Sequence, residues 1–385
     1  MHKRTEFVQR QSTLAPRERR ARALAALAAL AAVLAFGDGA RAEGAPSSAT
    51  APHDYRDANF DYFVAGDPRA PRARSTHFLL ALMGGGGRLD SAFEALAAAA
   101  GHGRIVVLRA VADDQFDPTD GDYGEAFRDR WGPVVSAETL VFHRRAAAYD
   151  PRVLAVLRGA DGIFLAGGDQ ANYIRYWKGT PVADALNAHV RAKRPIGGSS
   201  AGLAILGHYS YTALDGGSLE SKVAFADPLG PAVTLESDFL HLRWLEHVMT
   251  DTHFSQRCRL GRLITSLERI RAVWRERAVF GIGVDERTVL LVGADGTGRI
   301  AAGSAGSVWV VHPAPSPPPL MPGEPLSVSD VEVTRLGADG TLALRDGRVS
   351  GATGRARVSI ARGRPVGESI ASPILMRDTV PPDED

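Results

Sequence analysis

The sequence predicts an α/β protein, a doubly wound, mostly parallel sheet with a small β-rich addendum at its C-terminal end. Three observations carry this reading. Apolar runs of strand length alternate with helix-length stretches from about residue 76 to residue 292. Glycine-rich turns follow several of those runs, at 84–87, 167–168 and 198–202. After Asp295 the pattern changes to short strands punctuated by Gly, Asp and Pro. The chain has 385 residues and is 45% hydrophobic, enough for a sizeable core. Its net charge of +1 gives no basic surface that would ask for nucleic acid. The single cysteine, Cys258, excludes an intrachain disulfide.

Taken in order, residues 1–42 read as a secretory signal. Arg17, Arg19, Arg20 and Arg22 precede an alanine- and leucine-rich run to Phe36, and Ala40-Arg41-Ala42 is a small-x-small cleavage site. The run is too short and too alanine-rich for a good membrane span. An exported protein is therefore expected, periplasmic or extracellular, with no stable membrane insertion after signal removal. Residues 43–72, rich in Ala, Pro, Ser, Asp and Arg, read as a linker or disordered arm. A main domain over 73–312 follows, then a β-rich extension over 313–385 that opens with a proline-rich connector.

Within the main domain, 77–83, 105–108, 139–142 and 163–166 are buried strands by their continuous apolar runs. Residues 91–100 and 151–157 are helices, and 113–124 is polar and turn-rich. The ligands of such a sheet belong at the carboxyl ends of its strands. The glycine run at 84–87 lacks the spacing of a phosphate-binding loop, so it reads as a close backbone approach beside the site.

Gly198-Ser199-Ser200-Ala201-Gly202 lies between the Arg194-Pro195-Ile196 strand start and an apolar helix. A serine between two glycines at a strand-to-helix junction is a nucleophile elbow. The new helix would turn free N–H groups and its positive end toward a developing oxyanion. Of eleven histidines, His253 stands out. It sits at a strand end before a helix, two residues after Asp251, where a general base would be placed. Asp285 and Glu286 lie within an apolar stretch, 279–292, that reads as one strand. Successive strand side chains face opposite sides, so only one of the two acids can face the histidine. Arg257, Arg259 and Arg262 crowd the start of the helix after His253 and call for an acidic partner, a substrate carboxylate or a nearby acid.

Four motifs occur in order: GGDQ at 167–170, SAG at 200–202, D-x-H-F followed by R-x-R-x-x-R over 251–262, and GIGVDE at 281–286. With these the chain resembles the cyanophycinase-type serine peptidases, relatives of the aspartyl dipeptidases, over about residues 79–311. The resemblance implies a flavodoxin-like fold shared with class I glutamine amidotransferases, and no metal or cofactor. It implies Ser200 as nucleophile, His253 as general base, and Glu286 as the orienting carboxylate with Asp285 as the alternative. Gly168 and Ala201 would form the oxyanion hole. Gln170, Asp251, Arg257 and Arg262 would lie near the substrate, Asp251 facing arginine branches and the arginines facing free carboxylates. The implied substrate is cyanophycin, an aspartate backbone with arginine branches, or a related β-aspartyl peptide, cut to release β-aspartyl-arginine. Two positions depart from the family pattern. Ser199 stands where threonine is usual, and Thr252 replaces a glutamine that would lie near the substrate. The second change widens the implied substrates to other isoaspartyl or acidic peptides. An α/β-hydrolase esterase using 84–87 as oxyanion loop is the alternative, though its Ser, acid, His order differs from Ser200, His253, Glu286. A non-enzymatic exported binding protein on the same fold is the other. A homodimer is compatible with the sequence.

Overall fold

The computed structural model describes residues 54–71, 75–112, 122–369 and 371–376. These lie within one compact unit, Thr50–Asp385. The signal expected at 1–42 lies outside the described residues. The first half of the unit runs β1 (Tyr55–Arg56), β2 (Phe60–Gly66), β3 (Leu80–Met83), α1 (Asp90–Ala99), β4 (Arg104–Ala110), α2 (Asp122–Asp129) and β5 (Ser136–Phe142). It continues α3 (Pro151–Gly159), β6 (Gly162–Leu165), α4 (Gln170–Trp177), α5 (Pro181–Arg191), β7 (Ile196–Ser199) and α6 (Ala201–Ala204).

Five of these strands form a parallel core in the order β5-β4-β6-β7-β3. The apolar runs are continuous because both faces of the sheet are covered. Alternate residues go to opposite sides. Val106, Leu108, Ile163 and Leu165 pack against Val153 and Leu157 of α3, Tyr173 and Trp177 of α4, and Leu186 of α5. Ile105, Val107 and Phe164 pack on the other face with Phe93 and Leu96 of α1 and Phe127 of α2. This is the doubly wound arrangement that the sequence predicts. The chain steps outward from β3 through β4 to β5, then returns through β6 to β7.

The second half contributes β8 (Tyr209–Tyr211), α7 (Ser221–Ala226), β9 (Leu235–Ser237), β10 (Val248–Asp251), α8 (Leu260–Trp274), β11 (Phe280–Val284), β12 (Val289–Val292), β13 (Thr297–Ile300) and β14 (Val308–His312). It closes with β15 (Val328–Ala343), β16 (Arg348–Ala361) and β17 (Arg364–Val366). Strands β8, β10 and β11 are parallel neighbours. Strand β12 pairs antiparallel with β3, and β13 carries the pairing on to β15. Leu260, Leu263 and Leu267 of α8 pack with Phe225, Val311, Val331, Val333 and Val358.

Four expectations are corrected here. Residues 54–71 are not a loose arm. Strand β2 pairs antiparallel with β5 from Phe60↔Phe142 to Gly66↔Ser136, and Phe60 and Tyr62 are buried. The Tyr62 hydroxyl donates to the buried carboxylate of Glu138 at 3.0 Å, which also takes Arg104 Nη2 at 2.9 Å. The C-terminal addendum is not a separate set of short strands either. Where only short strands are expected after Asp295, β15 runs from Val328 to Ala343, its pairing with β16 interrupted by a register shift between Leu336 and Thr341. Glycine and aspartate there make an irregularity in a strand rather than a turn. The helix after the elbow is a single turn, so it offers unsatisfied N–H groups but little macrodipole. Residues 122–124 of the stretch expected to be polar and turn-rich open helix α2, while 113–121 lies outside the described residues.

Candidate active site

Ser200 stands at the end of β7 with φ 52° and ψ −120°, a backbone conformation costly for any side chain. Its N–H donates to Met83 O at 3.2 Å, tying the elbow to the end of β3. Gly202 lets the turn close, because a Cβ there would lie 2.1 Å from Leu165 O. The Ser200 hydroxyl is 2.8 Å from His253 Nε2. His253 follows β10, is buried, and donates its backbone N–H to Gly84 O at 2.8 Å. Its Nδ1 is 2.7 Å from Glu286 Oε1. Three side chains from the ends of three strands thus form one hydrogen-bonded line.

The two adjacent acids have separate tasks. Glu286 faces the imidazole. The Asp285 carboxylate is buried and accepts from Ser255 N at 3.0 Å, Ser255 Oγ at 2.6 Å, Ser307 N at 2.9 Å and Trp309 Nε1 at 3.2 Å. It fixes the loop that carries His253 to the strands β11 and β14. Gln256 Oε1 accepts the Glu286 N–H at 3.0 Å. The sequence leaves the choice between these acids open; in the structure it is Glu286 that lies at hydrogen-bond distance from the imidazole.

Burial pushes the His253 imidazole down to about 4, against the pull of the Glu286 hydrogen bond, and the charges on Arg259 and Arg257 add to the fall. The ring is therefore neutral near neutral pH. In that state Nδ1–H donates to Glu286 and Nε2 accepts the Ser200 proton, the arrangement a general base requires.

The glycine run at 84–87 wraps over the other two members. A Cβ on Gly85 would lie 2.4 Å from His253 Nε2, and one on Gly86 2.5 Å from Glu286 Cβ. Gly85 also has φ +94°, which only glycine adopts without strain. The close approach read from the sequence is this contact.

Gly167 and Gly168 follow β6 and abut the elbow, a Cβ on Gly167 falling 3.5 Å from Ser200 Cβ. The Tyr173 hydroxyl donates to Ala166 O at 2.7 Å and holds the turn. Gly168 follows Gly167 in this turn and is exposed, and Ala201, the residue after Ser200, is the first of α6. Gln170 opens α4, half-buried, next to Asp169, whose carboxylate caps the helix by accepting from Ala171 N at 2.9 Å.

Two expected substrate contacts are corrected. Asp251 and Arg262 are each 1% exposed in their side chains and bind one another, Arg262 Nε donating to Asp251 Oδ2 at 2.9 Å. Neither presents a free charge. The acid that offsets the arginines is Asp251 itself. Arg259 precedes α8 and is also buried, donating to Thr252 O at 2.9 Å and to Ser218 Oγ at 3.0 Å. Thr252 accordingly faces inward and is 2% exposed. Arg257 is half-buried and is the cation of the three that reaches the surface. A further arginine, Arg109, lies near the carboxyl end of β4 and is not among the residues that the sequence singles out. The available signal was a charge near the carboxyl end of an otherwise apolar strand.

Residues 82–233 match Peptidase family S51. The chain is also similar to cyanophycinases. It is 34% identical to a cyanophycinase of Synechococcus elongatus over 192 residues, 50% of this chain and 53% of that protein. It is 31% identical to a cyanophycinase of Trichormus variabilis over 201 residues, 51% of this chain and 61% of that one. The chain thus spans little more than half the length of these relatives. Among solved structures, a peptidase from an acI-B1 Actinobacterium overlays with a TM-score of 0.48 at 16% identity, covering 70% of this chain and 98% of that one.

Proposed function

We propose that this chain is a serine peptidase that hydrolyses cyanophycin or a related β-aspartyl peptide through Ser200, His253 and Glu286. The observation that carries the reading is the line of 2.8 Å and 2.7 Å hydrogen bonds from serine through a neutral imidazole to a carboxylate. Ser200 Oγ attacks the amide carbonyl carbon while His253 Nε2 takes the hydroxyl proton. The oxyanion is received by the N–H groups of Gly168 and Ala201. The C–N bond breaks as His253 returns the proton to the leaving amine, and water then hydrolyses the acyl-enzyme by the same route. Glu286 holds the tautomer and stabilises the imidazolium. The similarity to cyanophycinases supports the substrate class.

The test is release of β-aspartyl-arginine from insoluble cyanophycin by the purified protein. Ser200→Ala and His253→Ala each lower the rate by about 10³-fold or more. Full activity in Ser200→Ala removes the mechanism. Serine-dependent cleavage of other isoaspartyl peptides with none of cyanophycin keeps the mechanism and changes the substrate.

Export belongs to the same proposal. The arginines before residue 23, the apolar run and the Ala40-Arg41-Ala42 site support it. N-terminal sequencing of protein recovered outside the cytoplasm gives Glu43 as the first residue. An intact leader on protein retained in the cytoplasm contradicts it.

A further inference from the structure

His253 has φ 45°, a left-handed backbone that residues other than glycine seldom take. The peptide leading into it is held on both sides. Its N–H, on His253, donates to Gly84 O at 2.8 Å, and its carbonyl, Thr252 O, accepts from Arg259 Nη1 at 2.9 Å. The same nitrogen donates to the Thr252 hydroxyl at 3.1 Å, and Nη2 donates to Ser218 Oγ at 3.0 Å. Two hydrogen bonds therefore tie Arg259 to the residue before the histidine.

This setting is unfavourable for a cation. Arg259 is 6% exposed, and its Nε has no hydrogen-bond partner among the described residues. The Asp251 carboxylate, 3.8 Å away, is already bound by Arg262. Two buried guanidinium groups share that acid, an arrangement that costs stability. The charge nevertheless acts on the site, because it disfavours a second positive charge on the imidazole. Burial pushes the ring down, Glu286 pulls it up, and the charge on Arg259 comes ahead of that on Arg257 in adding to the fall.

We propose that Arg259 is a positioning residue of the triad, acting through the Thr252–His253 peptide to aim the imidazole at Ser200. The inference rests on the serine-peptidase reading above and extends it by one residue. Burial of the guanidinium and its bond to the Thr252 carbonyl carry it, since that carbonyl belongs to the peptide that sets the histidine backbone.

The experiment is the rate at which a fluorophosphonate forms an adduct on Ser200, followed against pH in the purified protein and in its Arg259→Met and Arg259→Lys variants. The small reagent carries none of the charges of a peptide substrate, so a role confined to substrate binding leaves its rate unchanged. Arg259→Met is expected to slow the adduct about 10–100-fold at neutral pH, because the imidazole is no longer aimed. It also moves the acid limb up toward the ordinary histidine range, because a charge that lowers the ring is gone. Arg259→Lys keeps the charge, leaves the limb near its wild-type position and recovers part of the rate. Thermal unfolding checks that both variants fold. Should Arg259→Met fail to, Arg259→Lys decides alone: a rate below wild type with the limb in place supports the inference, and the wild-type rate at every pH overturns it. Labelling of Arg259→Met at the wild-type rate overturns it, as does slowing with an unmoved limb, or an Arg259→Lys no faster than Arg259→Met. A wild type that forms no adduct on Ser200 overturns the peptidase reading and this inference together.

Discussion

At the residue scale, the site depends on an imidazole kept neutral by burial. Its ring is pushed down to about 4, so the base form persists through mildly acid pH. The acid limb of kcat/KM is expected near pH 4, well below the ordinary histidine range. Activity is full above that limb and falls about tenfold per pH unit below it. A limb near the ordinary imidazole value, measured with the wild-type protein, contradicts the buried-base account. Glu286→Gln removes a contribution that raises the pKa, so the limb moves lower still while kcat drops. Gly85 is the second residue-scale point. Gly85→Ala puts a methyl group 2.4 Å from the His253 ring and asks alanine for φ +94°. The expected result is loss of activity far beyond the loss of stability, about 1–3 kcal/mol for the strained backbone, read as kcat beside a urea unfolding curve. The acids were only partly legible at this scale. Asp285 and Glu286 were recognised as a pair with one member for histidine, but which one depends on the turn after β11. Asp251 and Arg262 were read as substrate contacts because spacing along the chain does not reveal that two charges eleven residues apart meet inside the core.

At the element scale, each functional side chain sits where a strand of the sheet ends. Ser200 follows β7, His253 follows β10 and Glu286 follows β11. The edges at Ser200 and His253 are legible because apolar runs stopping at glycine or acid mark strand ends, whereas 279–292 reads as one strand and is in fact β11 and β12 with Glu286 in the turn between them. The loop from β10 to α8 is anchored by Asp285, which takes two donors from Ser255, two residues beyond His253. Asp285→Ala leaves four donors, one of them fully buried, without their carboxylate. It is expected to cost about 3 kcal/mol of stability and also to lower kcat by loosening His253. Unchanged kcat in a destabilised variant removes the positioning role. The one-turn length of α6 was not legible, since Leu203-Ala204-Ile205-Leu206 is apolar enough for a longer helix. Residues 205–206 are fully buried, and the chain instead turns toward β8.

At the scale of the whole molecule, the doubly wound core was legible and its borders were not. Strand β2 escaped notice because its Phe-Asp-Tyr-Phe alternation is short and follows a polar stretch, while its stability comes from pairing along the whole of β5. A chain beginning at residue 75 uncovers the edge of β5 and loses the buried Phe60. A chain beginning at residue 54 keeps both. The shorter one is expected to be less stable by at least about 3–5 kcal/mol, the cost of losing one buried phenylalanine, in thermal unfolding of the two. Equal melting would return residues 54–71 to the status of a linker. The C-terminal half was misjudged in the same way, because β15 continues through an Asp-Gly pair that alone reads as a turn.

The central claim is that Ser200 is a nucleophile activated by His253. The most direct measurement is peptide mapping by mass spectrometry after treatment with a fluorophosphonate that esterifies activated serines. One adduct is expected, on Ser200, absent in Ser200→Ala and strongly slowed in His253→Ala. No adduct on the folded protein, or an adduct on Ser200 that forms equally fast without His253, would contradict the account.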